Sequence, residues 1–239
     1  MNPTRRAALR AAFPHTIPVM TGYLFLGTAY GIFMKTSGFP WFFPMLTSIT
    51  IFAGAMEFVL VNLLLGAFSP LNAFVLTLMV NARHLFYGLA MLEKYSDAGK
   101  KKLYMIFGLT DETFSVNLTA EPPEGVDRQW FMFFITLLDH SYWVTGATLG
   151  GIFGSLIQFN ARGLDFVMTA LLLVIFLNNW MNERHHWSSL IGVIVTALAR
   201  LLFSSSTFII PAMIGIIGLL TLLRTPLERA SAEKAGDEA

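Results

Sequence analysis

The sequence predicts an all-α fold: a polytopic transmembrane helical bundle made of two inverted repeats, each holding a broken or re-entrant segment. Three observations predict it. Of the 239 residues, 55% are hydrophobic and only 13% charged, where soluble domains carry about a quarter charged residues. Apolar stretches approaching the ~20 residues that cross a bilayer recur from end to end. Two motifs return in order at nearly one offset: Tyr23-x3-Gly27-x3-Gly31 as Tyr142-x3-Gly146-x3-Gly150, and Ala82-Arg83-x-Leu85-Phe86 as Ala199-Arg200-x-Leu202-Phe203. A formal net charge of +1, with no basic cluster among aromatics, leaves no footprint for nucleic acid. The absence of cysteine excludes disulfides, thiolate metal sites and thiol catalysis.

The first span is expected over 17–34, with Pro14 and Pro18 at its start, where a missing N–H is harmless. Arg5, Arg6 and Arg10 precede it with no small-residue cleavage site, which reads as an uncleaved, cytoplasmic N-terminus. Tyr23, Gly27 and Gly31 form a smooth face that lets another helix approach closely. The second stretch, Phe42–Phe68, has 27 residues. It is either one tilted helix or two half-helices broken at Ala53-Gly54. Glu57 has only Asn62 as a polar neighbour in sequence, so its partner must come from another helix. A carboxylate left unpaired there takes up a proton, which suits a proton carrier.

The third span, about 71–92, contains the polar run Asn81-Ala-Arg-His-Leu-Phe-Tyr-Gly88. An arginine at the centre of a bilayer helix costs about 2.5–3.5 kcal/mol before partners or water offset it. At helical spacing Asn81, His84 and Gly88 share one stripe, and Arg83 and Tyr87 the next. Four hydrogen-bonding side chains in seven residues point to a functional lining. Arg83 is expected to be buried and paired with Asp111, Glu112 or Asp139.

Glu93–Lys102 is a short charged loop. The fourth span opens at Leu103 and carries Asp111 and Glu112 just past Gly108. They sit at a helix break or, with Thr110 or Asp111 as N-cap, at an interfacial helix start. Pro122-Pro123 ends this segment. The fifth span, Trp130–Phe153, carries Asp139, His140, Tyr142 and Trp143, with Asp139, Trp143, Gly146 and Gly150 on one face. Further apolar stretches cover 166–181, 188–203 and 208–223. The His185-His186 pair is assigned no metal, because adjacent residues do not share a helix face. The chain is thus read as one transmembrane domain, 1–223, with repeats at about 15–118 and 134–223, and a disordered charged tail, 224–239.

Basic residues choose the topology. Eight crossings leave eight of them inside and six outside, hardly a bias. Making the second and sixth segments re-entrant gives twelve against two. That six-crossing arrangement places Glu93–Lys102 in the cytoplasm and Pro122–Arg128 outside. It also inverts one repeat relative to the other, a transporter architecture.

At Asn81–Gly88, at Lys101-Lys-Leu-Tyr-Met-Ile-Phe-Gly-Leu-Thr-Asp-Glu-Thr-Phe-Ser115 and at Phe52-Ala-Gly-Ala-Met-Glu-Phe58, the chain resembles the AzlC family. Its members are the YgaZ-like large subunits of bacterial branched-chain amino acid exporters. The resemblance runs from Gly22 to about Leu223. It implies an inner-membrane exporter with a small, AzlD-like membrane subunit. One departure stands out: the family often has glutamine where this chain has Glu57.

The resemblance implies secondary export of Leu, Ile, Val or Met, expected to be driven by proton exchange with no enzymatic step and no cofactor, and the residues offer the chemistry that such a carrier needs. A zwitterion needs a cationic or helix-N-terminal contact for its carboxylate and an acceptor for its ammonium. Asn81, Arg83 and His84, with Tyr87 on the Arg83 stripe, can meet the first need, and Asp111, Glu112 or Asp139 the second. Phenylalanines and methionines supply the apolar pocket. Asp111 or Glu112 is expected to couple proton entry to release, with His84 and His140 as relays and Glu57 as a further proton site. A passive channel for small solutes is the alternative.

Overall fold

The computed structural model describes residues 3–67, 69–154, 186–203 and 208–223, with Leu173, Phe176, Leu177, Trp180 and Met181. The chain divides into two compact units, 1–169 and 170–239. In the first, α1 (Pro3–Thr36) and α7 (Arg128–Phe153) form the axis. They run in the same direction. A β-carbon at Gly27 would lie 2.9 Å from the Trp143 carbonyl oxygen, and one at Gly146 would lie 2.9 Å from that of Leu24. Farther along both helices, Gly31 meets Ala147 and Gly150 meets Thr28. Only residues without a β-carbon allow such an approach. Between helices in lipid, where apolar surface gains little by leaving the tails, close packing is the main attraction. The two glycine motifs that suggested a repeat are therefore the two halves of one contact. The six-crossing topology requires α1 and α7 to be antiparallel, and it does not describe this unit.

The first helix starts earlier than expected and continues through Pro14 and Pro18. Its 34 residues span about 51 Å at 1.5 Å per residue, more than the ~30 Å of hydrocarbon. The turns bearing Arg5, Arg6 and Arg10 extend past it. Tertiary packing keeps them helical. Ala8 and Ala12 are buried with Phe131, Met132 and Ile135, and the Arg5 guanidinium lies 4.3 Å from the Trp130 ring centre.

Two broken hairpins and one long helix pack around this pair. The α2 helix (Phe42–Thr50) starts where the Trp41 carbonyl meets Gly151, and reaches His140, whose Nε2 donates to Ser48 O at 3.1 Å. The helix breaks at 51–53. Phe52 there takes φ 45°, a left-handed conformation costing about 1–2 kcal/mol, and its ring stacks on His140 at 4.4 Å. The α3 helix (Gly54–Leu65) then doubles back. Tyr30 touches both arms, Thr47 through a 2.7 Å hydrogen bond and Phe58 through a 5.4 Å ring contact. Of the two forms expected for this stretch, the chain adopts the broken one.

Next, α4 (Pro70–Met91) runs opposite to α1, its Met91 buried among Ala8 and Ala12. A turn with a 3-10 segment, Ser96–Ala98, leads to α5 (Lys101–Phe107), and after a break at 108–110 comes α6 (Asp111–Thr119). This second pair also doubles back. Lys101 Nζ sits 4.4 Å from the Trp130 ring centre at the start of α5, and Lys94 donates to Leu118 O at the end of α6. The expected fourth span is thus two short helices, of seven and nine residues, whose outer ends lie together. The loops at 93–100 and 120–127 lie at one end, joined by Glu121 to Lys94 at 3.9 Å and to Arg128 at 3.3 Å. That corrects their expected placement on opposite sides.

Among the described residues, α1 and α4 are long and apolar enough to cross a membrane. The second unit holds α8 (Trp187–Leu202) and α9 (Ile209–Leu222), as expected over 188–203 and 208–223. Arg200 lies 5.8 Å from the Phe208 ring centre at the edge of a cavity of about 770 Å³. Most of the expected 166–181 span, His185 and the 224–239 tail lie outside the described residues.

Candidate functional site

The two hairpin breaks meet against α1 and α7, where the Phe52 ring touches Tyr23 and His140. Gly108, packed on the Thr136 methyl group, lies against the ring of Phe52, and the Phe52 and Phe107 centroids are 6.4 Å apart. Each break is followed by a helix N-terminus, and each first turn carries acid: Glu57 in α3, Asp111 and Glu112 in α6. The partial positive charge of a helix start favours carboxylates there.

Thr110 caps α6, its Oγ1 accepting from Thr113 N at 3.3 Å, so the break and the cap foreseen as alternatives occur together. The neighbouring carboxylates point apart, as ~100° per residue dictates. Asp111 turns to α4, where it accepts from Arg83 Nη2 at 2.8 Å and from the Tyr87 hydroxyl at 2.5 Å. Arg83 keeps 30% side-chain exposure and Asp111 18%, so the pair is half-buried, whereas a buried one was expected. Glu112 turns to α1 and accepts from the Tyr23 hydroxyl at 2.7 Å.

On α7, Asp139 is wholly buried, its Oδ2 accepting from Thr113 Oγ1 at 2.9 Å. His140 ties the two hairpins together. Its Nε2 donates to Ser48 O of α2, so the neutral ring leaves Nδ1 to accept from the Tyr104 hydroxyl of α5 at 2.8 Å. Glu57 is also wholly buried. As expected, its partner comes from another helix: Trp143 Nε1 donates to Oε1 at 2.9 Å, beside Ala53 N at 3.2 Å. Asn81 and His84 face elsewhere, into an apolar groove of about 320 Å³ with Phe74, Leu78, Gly88 and Leu109. His84 Nδ1 contacts Asn81 O of its own helix at 3.1 Å, and the carboxylate of Glu112 is reached from Tyr23. Among the described residues, no group of three His, Cys, Asp or Glu could hold a metal ion.

Sequence reasoning missed Tyr23, Thr110, Thr113 and Trp143 as partners of the acids. A signal existed. Ile51-Phe52-x4-Glu57-x3-Val61-Asn62 returns 55 residues on as Ile106-Phe107-x4-Glu112-x3-Val116-Asn117. Tyr30-Gly31-x2-Met34 likewise returns as Tyr87-Gly88-x2-Met91. Each of these tyrosines also packs on a phenylalanine of the following broken segment, Tyr30 on Phe58 at 5.4 Å and Tyr87 on Phe114 at 4.4 Å. Each of the two matching stretches is a long helix followed by two short helices with a break between them.

Comparison with known proteins gives one family match, to the model described as AzlC protein, over residues 18–157. The branched-chain amino acid transport protein AzlC of Bacillus subtilis is 61% identical over 94% of this chain and 88% of its own length. An uncharacterized membrane protein of Haemophilus influenzae is 46% identical over 95% and 93%. The inner membrane protein YgaZ of Escherichia coli is 26% identical over 93% and 91%. No solved structure matches the chain.

Proposed function

This chain belongs to the AzlC protein family, and from that premise we propose that it exports branched-chain amino acids across the bacterial inner membrane. Protons move in exchange, and a small AzlD-like membrane subunit completes the carrier. The observation that carries this reading is the Arg83–Asp111–Tyr87 cluster at a helix break, whose Tyr87 ring meets that of the groove residue His84 edge-on at 5.6 Å. Opposite charges 2.8 Å apart offer a zwitterion a partner for each end. Its carboxylate takes the Arg83 guanidinium and its ammonium takes Asp111, so the site stays neutral when loaded. The groove, at about 320 Å³, accommodates an aliphatic side chain.

The same reading orients the molecule. Arg5, Arg6, Arg10, Lys94, Lys100, Lys101, Lys102 and Arg128 gather at one end of the first unit, with Lys35 at the other. We take the first end as cytoplasmic. The α2–α3 hairpin then enters from outside and the α5–α6 hairpin from the cytoplasm, with α1, α4 and α7 crossing. Counterflow in liposomes tests the carrier. Leucine loaded inside should accelerate uptake of labelled leucine, and equal rates with empty vesicles would mean a passive channel.

A further inference from the structure

We propose that Glu112 and Asp139 share a single proton along a wire of three hydroxyl groups, those of Tyr23, Thr110 and Thr113. This rests on the proton-exchange reading above and names the atoms that serve it. The wire is continuous: Glu112 to Tyr23 at 2.7 Å, Tyr23 to Thr110 at 2.6 Å, Thr110 to Thr113 at 3.0 Å and Thr113 to Asp139 at 2.9 Å. It joins α6 to α1 and α7 at the level where the hairpins break.

Counting hydrogens gives the result. There are four oxygen–oxygen contacts but three hydroxyl hydrogens. With both carboxylates charged, one contact sets lone pair against lone pair, which a buried network does not tolerate well. At 2.6 Å the Tyr23–Thr110 contact must hold a hydrogen, so the deficit falls on a neighbour. Adding one proton fills every contact and leaves two complete arrangements. In one, Glu112 is protonated and each O–H points toward Asp139. In the other, Asp139 is protonated and each O–H points toward Glu112.

Passing between them breaks four O–H bonds and makes four. The Glu112 proton goes to Tyr23, that of Tyr23 to Thr110, that of Thr110 to Thr113, and that of Thr113 to Asp139. One proton is moved, and no electrons change hands. The surroundings differ at the two ends. Asp139 is wholly buried and its Oδ1 has no partner among the described residues. Glu112 is partly exposed, beside Asp111 on its own helix and Arg83 and Tyr87 on α4. Tyr23 is the titratable group of α1 at both ends, and the neighbour of Asp139 on α7, His140, is held by Ser48 and Tyr104. Charge brought to the Arg83–Asp111 pair therefore acts on the exposed end of the wire.

Infrared difference spectroscopy on the purified, full-length carrier tests the sharing directly. The wild type should show one protonated carboxyl band from this site, shifted in heavy water. Glu112→Gln and Asp139→Asn should each abolish it, because either amide supplies the missing hydrogen and frees the other carboxylate to ionise. A band that survives either substitution, or two separate bands, overturns the proposal, and either variant alone suffices. Thr113→Val should reduce pH-driven leucine efflux at least tenfold, and Thr113→Ser should restore it to within twofold. Full efflux by the valine variant, or no rescue by serine, would also overturn it. The carrier reading fails separately, through absence of wild-type counterflow, which leaves the carboxyl band untouched.

Discussion

The indole N–H of Trp143 donates to Glu57 at 2.9 Å and is the only side-chain donor to that wholly buried carboxyl group among the described residues. Removing a donor that leaves a buried acceptor unpaired costs about 1–3 kcal/mol. Trp143→Phe should therefore lower stability by roughly that much beyond its lost packing. Glu57→Gln keeps an acceptor for the indole and cannot ionise, so it should leave stability equal or higher. Thermal unfolding in detergent of Trp143→Phe with glutamate and with leucine at 57 isolates the bond, and equal losses in the two backgrounds would show that it contributes nothing.

The Arg83–Asp111 pair predicts a different pattern. Arg83→Lys keeps the charge but not the planar fork, and should weaken leucine binding about tenfold, or ~1.4 kcal/mol. Arg83→Gln and Asp111→Asn should each reduce it further, because each leaves a half-buried charge unpaired. Equilibrium binding of labelled leucine by scintillation proximity reads all three. An asparagine at 111 that binds like the wild type would remove this pair from the substrate site.

Close approach of α1 and α7 should make glycine substitutions position-specific. At Gly31 or Gly150, alanine meets the backbone of the facing helix and should destabilise by about 1–3 kcal/mol. Gly22, on α1, has nothing within 4 Å of where a β-carbon would sit, and alanine there should stabilise by roughly 0.5–1 kcal/mol. The melting temperatures should move in opposite directions.

Sidedness gives a test independent of energetics. Native cysteine is absent, so single cysteines report cleanly. Ser96→Cys and Glu124→Cys should both escape a membrane-impermeant maleimide in intact cells, and Thr36→Cys should react. Labelling at 124 without labelling at 96 would mean that α5 and α6 do cross.

Much of this arrangement can be read from local chemistry. An arginine inside an apolar helix demands a partner, so Arg83 pointed to the acids after Gly108, and Asp111 is the one it meets. The lone Glu57 pointed to a donor on another helix in the same way. Chain direction is another matter. Apolar composition marks the stretch from Leu103 as a span, but it carries no sign distinguishing a crossing from a return. The two short arms look like one span until the break at 108–110 is known to reverse the path. The glycine spacing carries a related ambiguity, since partners in one helix contact and copies in a repeat leave the same pattern. The start of α1 was hidden because prolines argue against helix locally, whereas contacts of Ala8 and Ala12 with α7 decide the matter.

One imidazole holds both hairpins, taking a carbonyl of the first and a hydroxyl of the second. If the hairpins swing to admit substrate from their respective sides, lifting either one costs His140 a single bond while the other still anchors it. Lifting both strands the ring among apolar neighbours with two polar nitrogens bare, at about 1–3 kcal/mol for each. In the carrier proposed above, the ring would then act as an interlock, like the linked doors of an airlock, permitting either opening and penalising the state in which solutes would leak straight through.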